Sequence, residues 1–150
     1  MTDPRMYPDR PYLAVSAAII RDGRVLVARR AKGASTGVWT MPDGVVEAGE
    51  TLHEAVIREI REETSIAIKP VALAGFREFI TRDEAGRVAR HFVIQCFACR
   101  WLSGEGVPQL EELSELRWLR PEELTGLTTT EGLAEIVDSA FRIIEATPQS

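Results

Sequence analysis

Cysteine and histidine are scarce in this sequence, with two of each among 150 residues. The cysteines form a single CxxC, Cys96 to Cys99, and no second pair of zinc ligands accompanies it. The segment around them is typical of a β-strand, in which residues three apart point to opposite faces. We therefore predict two buried, small apolar side chains, and the pattern indicates no zinc site and no redox function.

Long apolar runs and excess positive charge are also missing. No apolar run approaches the length of about 18 residues that a membrane span requires, so no membrane partner is predicted. The net charge of −5 argues against a nucleic-acid polymer as partner, because proteins that bind such polymers carry basic patches. The proline-rich, charged start MTDPRMYPDRPY is unlike a signal peptide. The expected location is the cytoplasm.

The remaining composition is that of an ordinary globular domain, with 45% apolar and 27% charged residues. We predict a flexible N-terminal arm at residues 1–11, where prolines favour extended or turn conformations, and a single domain at residues 12–147. Asp22-Gly23 separates two β-rich runs and predicts a hairpin. Predicted strands cover 12–20, 25–27, 66–80 (interrupted at Pro70 and Gly75), 88–102 and 116–119. A closing helix is predicted from 130 or 131 to 146.

The most informative stretch is residues 41–66, MPDGVVEAGETLHEAVIREIREETSI. A turn at 42–44 leads into Val45-Val46, and then Gly49-Glu50-Thr51 opens a helix in which Glu50 or Thr51 can cap free backbone N–H groups. Since neither Gly nor Pro follows before Pro70, the helix is predicted to span about 52–64. With one central and one terminal helix among strands, the fold class is α+β, an α/β/α sandwich with a mixed sheet between helices.

Acidic residues of this helix share its apolar side. With about 100° per residue and Leu52 set at zero, Val56 lies near +40° and Ile60 near +80°. On the same wheel Glu59 lies at roughly −20°, Glu62 at roughly −80° and Glu63 at roughly +20°. Carboxylates so close together resist desolvation unless a cation sits among them, and hard oxygen ligands favour Mg²⁺, Mn²⁺ or Ca²⁺. The alternative is a surface helix with i,i+4 Arg–Glu pairs.

The spacing of these residues resembles the Nudix box. The matching positions are Gly44, five residues, Glu50, seven residues, Arg58-Glu59-Ile60, one residue, Glu62-Glu63, one residue, Ser65 and Ile66. Every charged position of that motif is filled at its spacing, and such a set of fixed offsets is far more specific than a short motif. The first hairpin, Gly37-Val38-Trp39 and Arg117-Trp118-Leu119 also resemble family features. The likeness extends over most of the chain and implies a sheet between helices with a loop–helix–loop catalytic box.

The resemblance also implies an activity and its residues. It implies hydrolysis of a diphosphate linked to another group, with Mg²⁺ as cofactor and Mn²⁺ as a second option. The metal ligands would be Glu59, Glu62, Glu63 and the backbone carbonyl of Asp43, with Glu50 as a further ligand or an acceptor behind the ligands. Arg58 would orient a glutamate, and Glu59 would have a catalytic as well as a ligand role.

The general base would be a box glutamate or a glutamate of a later loop, which offers Glu105, Glu111, Glu112 and Glu115. Among these we favour Glu112, with Glu111 as the next candidate. Arg29 and Trp39 are candidate substrate-binding residues. The competing interpretations are a solvated charge at a strand end for Arg29 and a core aromatic for Trp39.

Two positions depart from the family pattern. Ser65 lies just past the helix, at a position where the family usually has glycine. This position suits a cap in the left-handed conformation. Serine there is expected to cost about 1 kcal/mol of backbone strain, or else the helix ends in a different way. Asp43 also replaces a usual glycine and adds a carboxylate at the mouth of the site, as an extra ligand or an obstruction.

The substrate is the least determined feature. The favoured candidate is a nucleoside diphosphate derivative such as ADP-ribose or a similar nucleotide sugar. The alternatives are a MutT-like pyrophosphohydrolase acting on nucleoside triphosphates, including oxidised ones, and a catalytically silent nucleotide-binding sensor. The partner is thus a small-molecule nucleotide, and the resemblance also allows a homodimer.

Overall fold

The strands of this protein form one mixed sheet of seven. The computed structural model describes residues 4–33 and 35–148. Its elements are β1 (Tyr12–Arg21), β2 (Arg24–Arg30), β3 (Trp39–Thr40), β4 (Asp43–Val45), helix α1 (Leu52–Thr64), β5 (Ala67–Arg82), β6 (Val88–Ser103), β7 (Leu113–Leu119), a 3₁₀ turn (Pro121–Gly126) and helix α2 (Leu133–Ala146). The main order is β3-β2-β1-β6-β5, with β4 paired to β1 and β7 paired to β2. Only the β1–β6 pairing is parallel among these, as a mixed sheet requires.

Each helix covers one face of the sheet. On β1, Val15, Ala17 and Ile19 belong to the apolar cluster that contains Val56 and Ile60 of α1. The intervening residues Ala14, Ala18 and Ile20 belong to the cluster packed against α2. Strand side chains alternate between faces, so a strand that is buried throughout must be covered on both sides. The predicted α/β/α sandwich is confirmed.

The two cysteines illustrate this alternation. Cys96 and Cys99 are both free and buried, and they belong to the clusters under α2 and α1 respectively. Burial raises the pKa of both thiols. The prediction of two small core residues on opposite faces is confirmed.

Several predicted boundaries are wrong. Strand β2 continues to Arg30 rather than ending at residue 27, and β4 begins at Asp43, within the turn predicted at 42–44. The strand over 66–80 is not interrupted, because β5 continues through Pro70 and Gly75 with register shifts beside them, as edge strands tolerate. Strand β7 begins at Leu113, three residues earlier than predicted. Helix α2 begins at Leu133, since Gly132 before it has φ +81 and lies outside the helical region.

The N-terminal arm contacts the turn between β5 and β6. The Tyr7 N–H donates to the Ala89 carbonyl at 2.8 Å, and the Tyr7 hydroxyl donates to Asp83 at 3.0 Å. The Arg87 guanidinium lies 4.5 Å from the centre of the Tyr7 ring. The arm is thus attached at Tyr7 rather than free along its length, and residues 1–3 lie outside the described residues. Within the described part of the chain, no helix combines the length and apolar character needed to cross a bilayer.

Candidate active site

Helix α1 begins with a complete capping box. The Glu54 N–H donates to the Thr51 hydroxyl at 3.1 Å, and the Thr51 N–H donates to the Glu54 carboxylate at 3.0 Å. Of the two capping candidates, Thr51 is therefore the cap. This leaves the Glu50 carboxylate available for another partner.

That partner is Arg58, which joins three acidic side chains and the preceding loop. Its Nε and Nη2 donate to Glu50 at 2.6 and 2.8 Å. Its Nη1 donates to Glu59 at 2.9 Å and to Glu62 at 3.2 Å, and Nη2 also donates to the Val45 carbonyl at 3.1 Å. Hydrogen bonds from Arg58, and then the one from the Glu47 N–H, lower the pKa of Glu50 to about 2. Arg58 is thus hydrogen-bonded to three box glutamates, and its positioning role in catalysis stays a prediction.

Gly44 gives Glu59 the space it occupies. A Cβ atom on Gly44 would lie 2.0 Å from Cδ of Glu59. Any side chain at position 44 would displace the Glu59 carboxyl group. The requirement for glycine at position 44 thus has a steric origin, which only the folded structure reveals.

Glu63 has a strongly perturbed carboxyl group. Burial raises its pKa to about 9, and Asp43, Glu59 and Glu112 raise it as well, against a smaller opposing effect of Arg30. Among the described residues no hydrogen-bond donor reaches its carboxylate. Burial also raises the pKa of Glu59, whose side chain is 14% exposed. A desolvated acid facing other acids is an arrangement that a bound cation stabilises.

Asp43 brings its carboxylate to the same place. Burial raises its pKa, while Arg30 and Arg77 lower it and Glu112 raises it. Arg30 is 3.9 Å away. Arg77 had no signal in the sequence, since only the pairing of β5 with β6 brings it towards Asp43. The metal-ligand role of the Asp43 carbonyl stays a prediction. The same holds for the Asp43 carboxylate, as an extra ligand or as an obstruction.

The loop after β6 is fastened to the end of α1. The N–H groups of Val107 and Gln109 donate to the carbonyls of Thr64 and Glu63, each at 2.8 Å. Ser65 closes the helix at φ +62, the left-handed conformation expected for this box position, and its N–H donates to the Arg61 carbonyl. The loop therefore continues past the carboxyl end of α1 towards the acidic cluster.

One loop glutamate reaches that cluster. Glu112 raises the pKa of both Asp43 and Glu63 and pairs with Lys32 at 3.0 Å. Glu105 instead pairs with Arg21, and Glu115 pairs with Arg29 and Arg117. The arrangement favours Glu112 over these two, and its role as base stays a prediction.

The two candidate substrate-binding residues differ in exposure. Trp39 is only 5% exposed and belongs to the core under α2, with the Arg117 guanidinium 4.9 Å from its ring centre. Little ring surface is left for a base, so the interpretation of Trp39 as a core residue is the better one. Arg29 is partly exposed and donates to the Ser114 hydroxyl at 2.8 Å. Its contact with substrate stays a prediction.

The chemistry of the site fits a hard divalent cation. Its oxygen donors are carboxylates, of which Glu59 and Glu63 are desolvated, and Mg²⁺ and Mn²⁺ favour such ligands. In the present arrangement, no three acidic, His or Cys side chains of residues 4–33 and 35–148 are close enough to share an ion. Arg58 engages Glu59 and Glu62, and Glu62 is 60% exposed. Ligation would therefore require side-chain movement.

Comparison with known proteins identifies the family. The model of the NUDIX domain matches residues 10–140. This chain belongs to the Nudix family. A "MutT-like protein" of Streptomyces ambofaciens is 33% identical over 97% of this chain and 84% of its own length. The "NAD-capped RNA hydrolase NudC" of Photobacterium profundum is 29% identical over 96% of this chain. The "ADP-ribose pyrophosphatase" of Methanocaldococcus jannaschii is 40% identical over 52% of it. The Nudix chain spans about half the length of these last two, 49% and 46%.

Solved Nudix structures share the architecture. The MutT NUDIX hydrolase from Burkholderia pseudomallei superposes with a TM-score of 0.76 at 28% identity, covering 87% of this chain and 98% of that one. The NUDIX domain of Shewanella oneidensis NrtR, solved with ADP ribose, gives a TM-score of 0.71 at 19% identity, covering 95% and 94%. At that identity the second likeness shows the fold alone.

Proposed function

We propose that this protein is a divalent-cation-dependent pyrophosphohydrolase that cleaves the diphosphate linkage of a nucleoside diphosphate derivative. The observation that carries the proposal is the convergence of the charged box positions. Arg58 holds Glu50 and Glu59, while Glu63 faces Asp43, Glu59 and Glu112 with its carboxyl group desolvated. A structural role alone would not require several acids to be gathered where each destabilises the charge of the others.

The residues divide into ligands, a positioning residue and a base. Glu59, Glu62, Glu63 and the Asp43 carbonyl would hold Mg²⁺ or Mn²⁺, with Glu50 bound to Arg58 behind them. Such an ion neutralises phosphate charge and acidifies water when bound. Arg58 fixes the direction of the Glu59 carboxylate. Glu112 would accept the proton of the attacking water.

The substrate would enter an open cleft beside this cluster. The cleft has a volume of about 590 Å³, and its lining combines Arg77, two acids and polar and apolar side chains, among them Glu78, Phe79, Ile80, Thr130 and Glu131. Arg77 connects it to the acidic site, since its charge also acts on Asp43. Arg77 could pair with a phosphate and the apolar side chains could contact a nucleoside, while Glu78 and Glu131 would have to face an uncharged part of the substrate. We propose ADP-ribose or a similar nucleotide sugar first, supported by the archaeal relative's name.

A nucleoside triphosphate is the second candidate. It is supported by the Streptomyces relative, which is named MutT-like and aligns along 97% of this chain. Both substrates place a diphosphate group at the same carboxylates, so the acidic site does not discriminate between them. Discrimination between the two substrates would instead depend on the group attached to the phosphates, which the cleft would contact.

A substrate screen tests the proposal. Nucleoside diphosphate sugars and nucleoside triphosphates would be incubated with the protein and Mg²⁺, Mn²⁺ or EDTA. For the triphosphates, phosphate would be measured with and without inorganic pyrophosphatase, which detects released pyrophosphate. For the diphosphate sugars it would be measured with and without a phosphatase, which detects the phosphomonoester products. The variants Glu59→Gln and Glu63→Gln would be compared with Glu145→Gln, which changes an exposed glutamate at the end of α2.

We expect turnover that EDTA abolishes, that falls at least about a hundredfold in the two site variants and that is unchanged in Glu145→Gln. Tight nucleotide binding without turnover on any substrate would overturn the proposal and favour the nucleotide sensor. Turnover that persists in both site variants would refute the assigned residues.

A further inference from the structure

Three arginines lie side by side at one end of the sheet. In the β1–β2 pairing, Arg21 lies directly opposite Arg24. In the β2–β7 pairing, Val25 lies opposite Leu119, and Arg120 follows Leu119. The register of three adjacent strands therefore places Arg21, Arg24 and Arg120 in one row. Like charges that lie opposite each other across strands destabilise a sheet.

Acidic residues compensate this row only in part. Arg21 pairs with Glu105 at 3.3 Å, and its guanidinium stacks 3.8 Å from the ring centre of Trp101. Arg24 and Arg120 are exposed, and neither guanidinium has an ion-pair or hydrogen-bond partner among residues 4–33 and 35–148. Asp22 is the acid among the residues at this end that line the cleft described next, and the Glu123 carboxylate accepts the Arg120 backbone N–H at 2.9 Å. Two arginine guanidinium groups without an ion-pair partner thus remain at this end of a chain whose net charge is −5.

The row borders a cleft on the molecular surface. The cleft has a volume of about 310 Å³ and is lined by Arg21, Asp22, Arg24, Trp118 and Arg120. The Arg21 guanidinium also lies 5.5 Å from the Trp118 ring centre. The Trp118 indole N–H is buried and has no acceptor among the described residues. Guanidinium groups around a concave surface match the oxygen geometry of phosphate.

We propose that this arginine cleft binds a phosphate-bearing small anion, either an inorganic diphosphate or the diphosphate of a nucleotide. None of its lining residues belongs to the acidic cluster of Asp43, Glu59, Glu63 and Glu112. The site is therefore an additional one, and its ligand needs no divalent cation, because arginines supply the positive charge. This inference is independent of the proposed hydrolysis.

Binding without metal tests the proposal. In EDTA and at low ionic strength, inorganic pyrophosphate, ADP and AMP would be titrated into the full chain. Calorimetry would give Kd, and ¹⁵N NMR would follow the backbone amides of Asp22, Gly23, Arg24 and Arg120. The double variant Arg24→Ala/Arg120→Ala would be compared with Arg10→Ala/Arg142→Ala, which removes the same charge from exposed positions outside the cleft.

We expect pyrophosphate to shift the amides at the cleft and its Kd to rise at least about tenfold in Arg24→Ala/Arg120→Ala, with less than a twofold change in the control. Tighter binding of ADP than of pyrophosphate would assign the site to nucleotides, and equal binding would assign it to the inorganic anion. Absence of binding, or an equal loss in both double variants, would overturn the proposal. So would a loss of hydrolysis confined to the cleft variant, because the cleft would then belong to the active site.

Discussion

Gly44 and Glu59 occupy adjoining space so tightly that a Cβ atom on the glycine would lie 2.0 Å from Cδ of the glutamate. Gly44 does not have a positive φ, so alanine is compatible with its backbone conformation. We expect Gly44→Ala to lower kcat at least about tenfold by displacing the Glu59 carboxylate, with the fold retained by circular dichroism. Gly126→Ala is the matched control, since it would meet nothing within 4 Å. Equal activity of both variants would contradict the steric explanation.

Arg58→Lys should weaken both activity and stability. Lysine keeps the charge, but its single ammonium cannot reach Glu50, Glu59 and the Val45 carbonyl together. We expect kcat to fall at least about tenfold and the free energy of unfolding to fall by about 1–3 kcal/mol, measured by steady-state kinetics and urea titration. Arg61→Lys, an exposed change on the same helix, should alter neither. A normal kcat in Arg58→Lys would show that the several hydrogen bonds of the Arg58 guanidinium are not needed to position the glutamates.

Glu112→Gln should lower kcat at least about tenfold, because the amide cannot accept the proton of the attacking water. Glu111→Gln, the neighbouring change, should leave kcat near its original value. Single-turnover measurement at saturating substrate separates this step from product release. If Glu112→Gln retains full activity, Glu112 is not the base, and the role passes to a box glutamate or to another glutamate of the loop.

Ser65→Gly should stabilise the protein. Ser65 adopts φ +62, a conformation that costs a side-chain-bearing residue about 1 kcal/mol and costs glycine little. We expect the free energy of unfolding to rise by about 0.5–1 kcal/mol in urea titration. Ser139→Gly, within α2, should instead lower it by about 0.5–1 kcal/mol. A lower stability in Ser65→Gly would show that strain at this cap is negligible.

The metal-free protein should lose stability as pH rises. The pKa of Glu63 is about 9 in the fold against an ordinary 4.5, so between these values the folded state keeps a proton that the unfolded chain has released. The free energy of unfolding therefore falls with rising pH, by at most about 1.4 kcal/mol per pH unit for one proton. Chemical unfolding in EDTA from pH 5 to 8.5 would measure this slope.

Glu63→Gln should flatten that slope, because the amide resembles the protonated acid. Glu145→Gln should leave it unchanged. Adding Mn²⁺ to the unmodified protein should raise stability most at the upper end of the range, where the ion replaces the proton. A slope that Glu63→Gln does not alter would assign the pH dependence to other groups.

Local pattern accounts for much of the site. The predicted helix over 52–64 has the observed bounds Leu52–Thr64, because its period, its capping box and the absence of Gly and Pro all act within a few residues. The same holds for the hairpin at Asp22-Gly23 and for the left-handed turn at Ser65. The convergence of Glu59 and Glu63 on one side of α1 also follows from helical periodicity.

The sequence by itself thus determined the layered fold, the catalytic helix and the acids it carries, since these depend on spacing along the chain. The tertiary structure selected Glu112 among the loop glutamates and the core interpretation of Trp39. Only the tertiary structure revealed that Arg77 acts on Asp43 and that Arg21, Arg24 and Arg120 form a row, because these residues come from separate segments of the chain. Such contacts depend on the register between strands that are distant in sequence. A shift of one residue in that register would turn each side chain to the opposite face of the sheet.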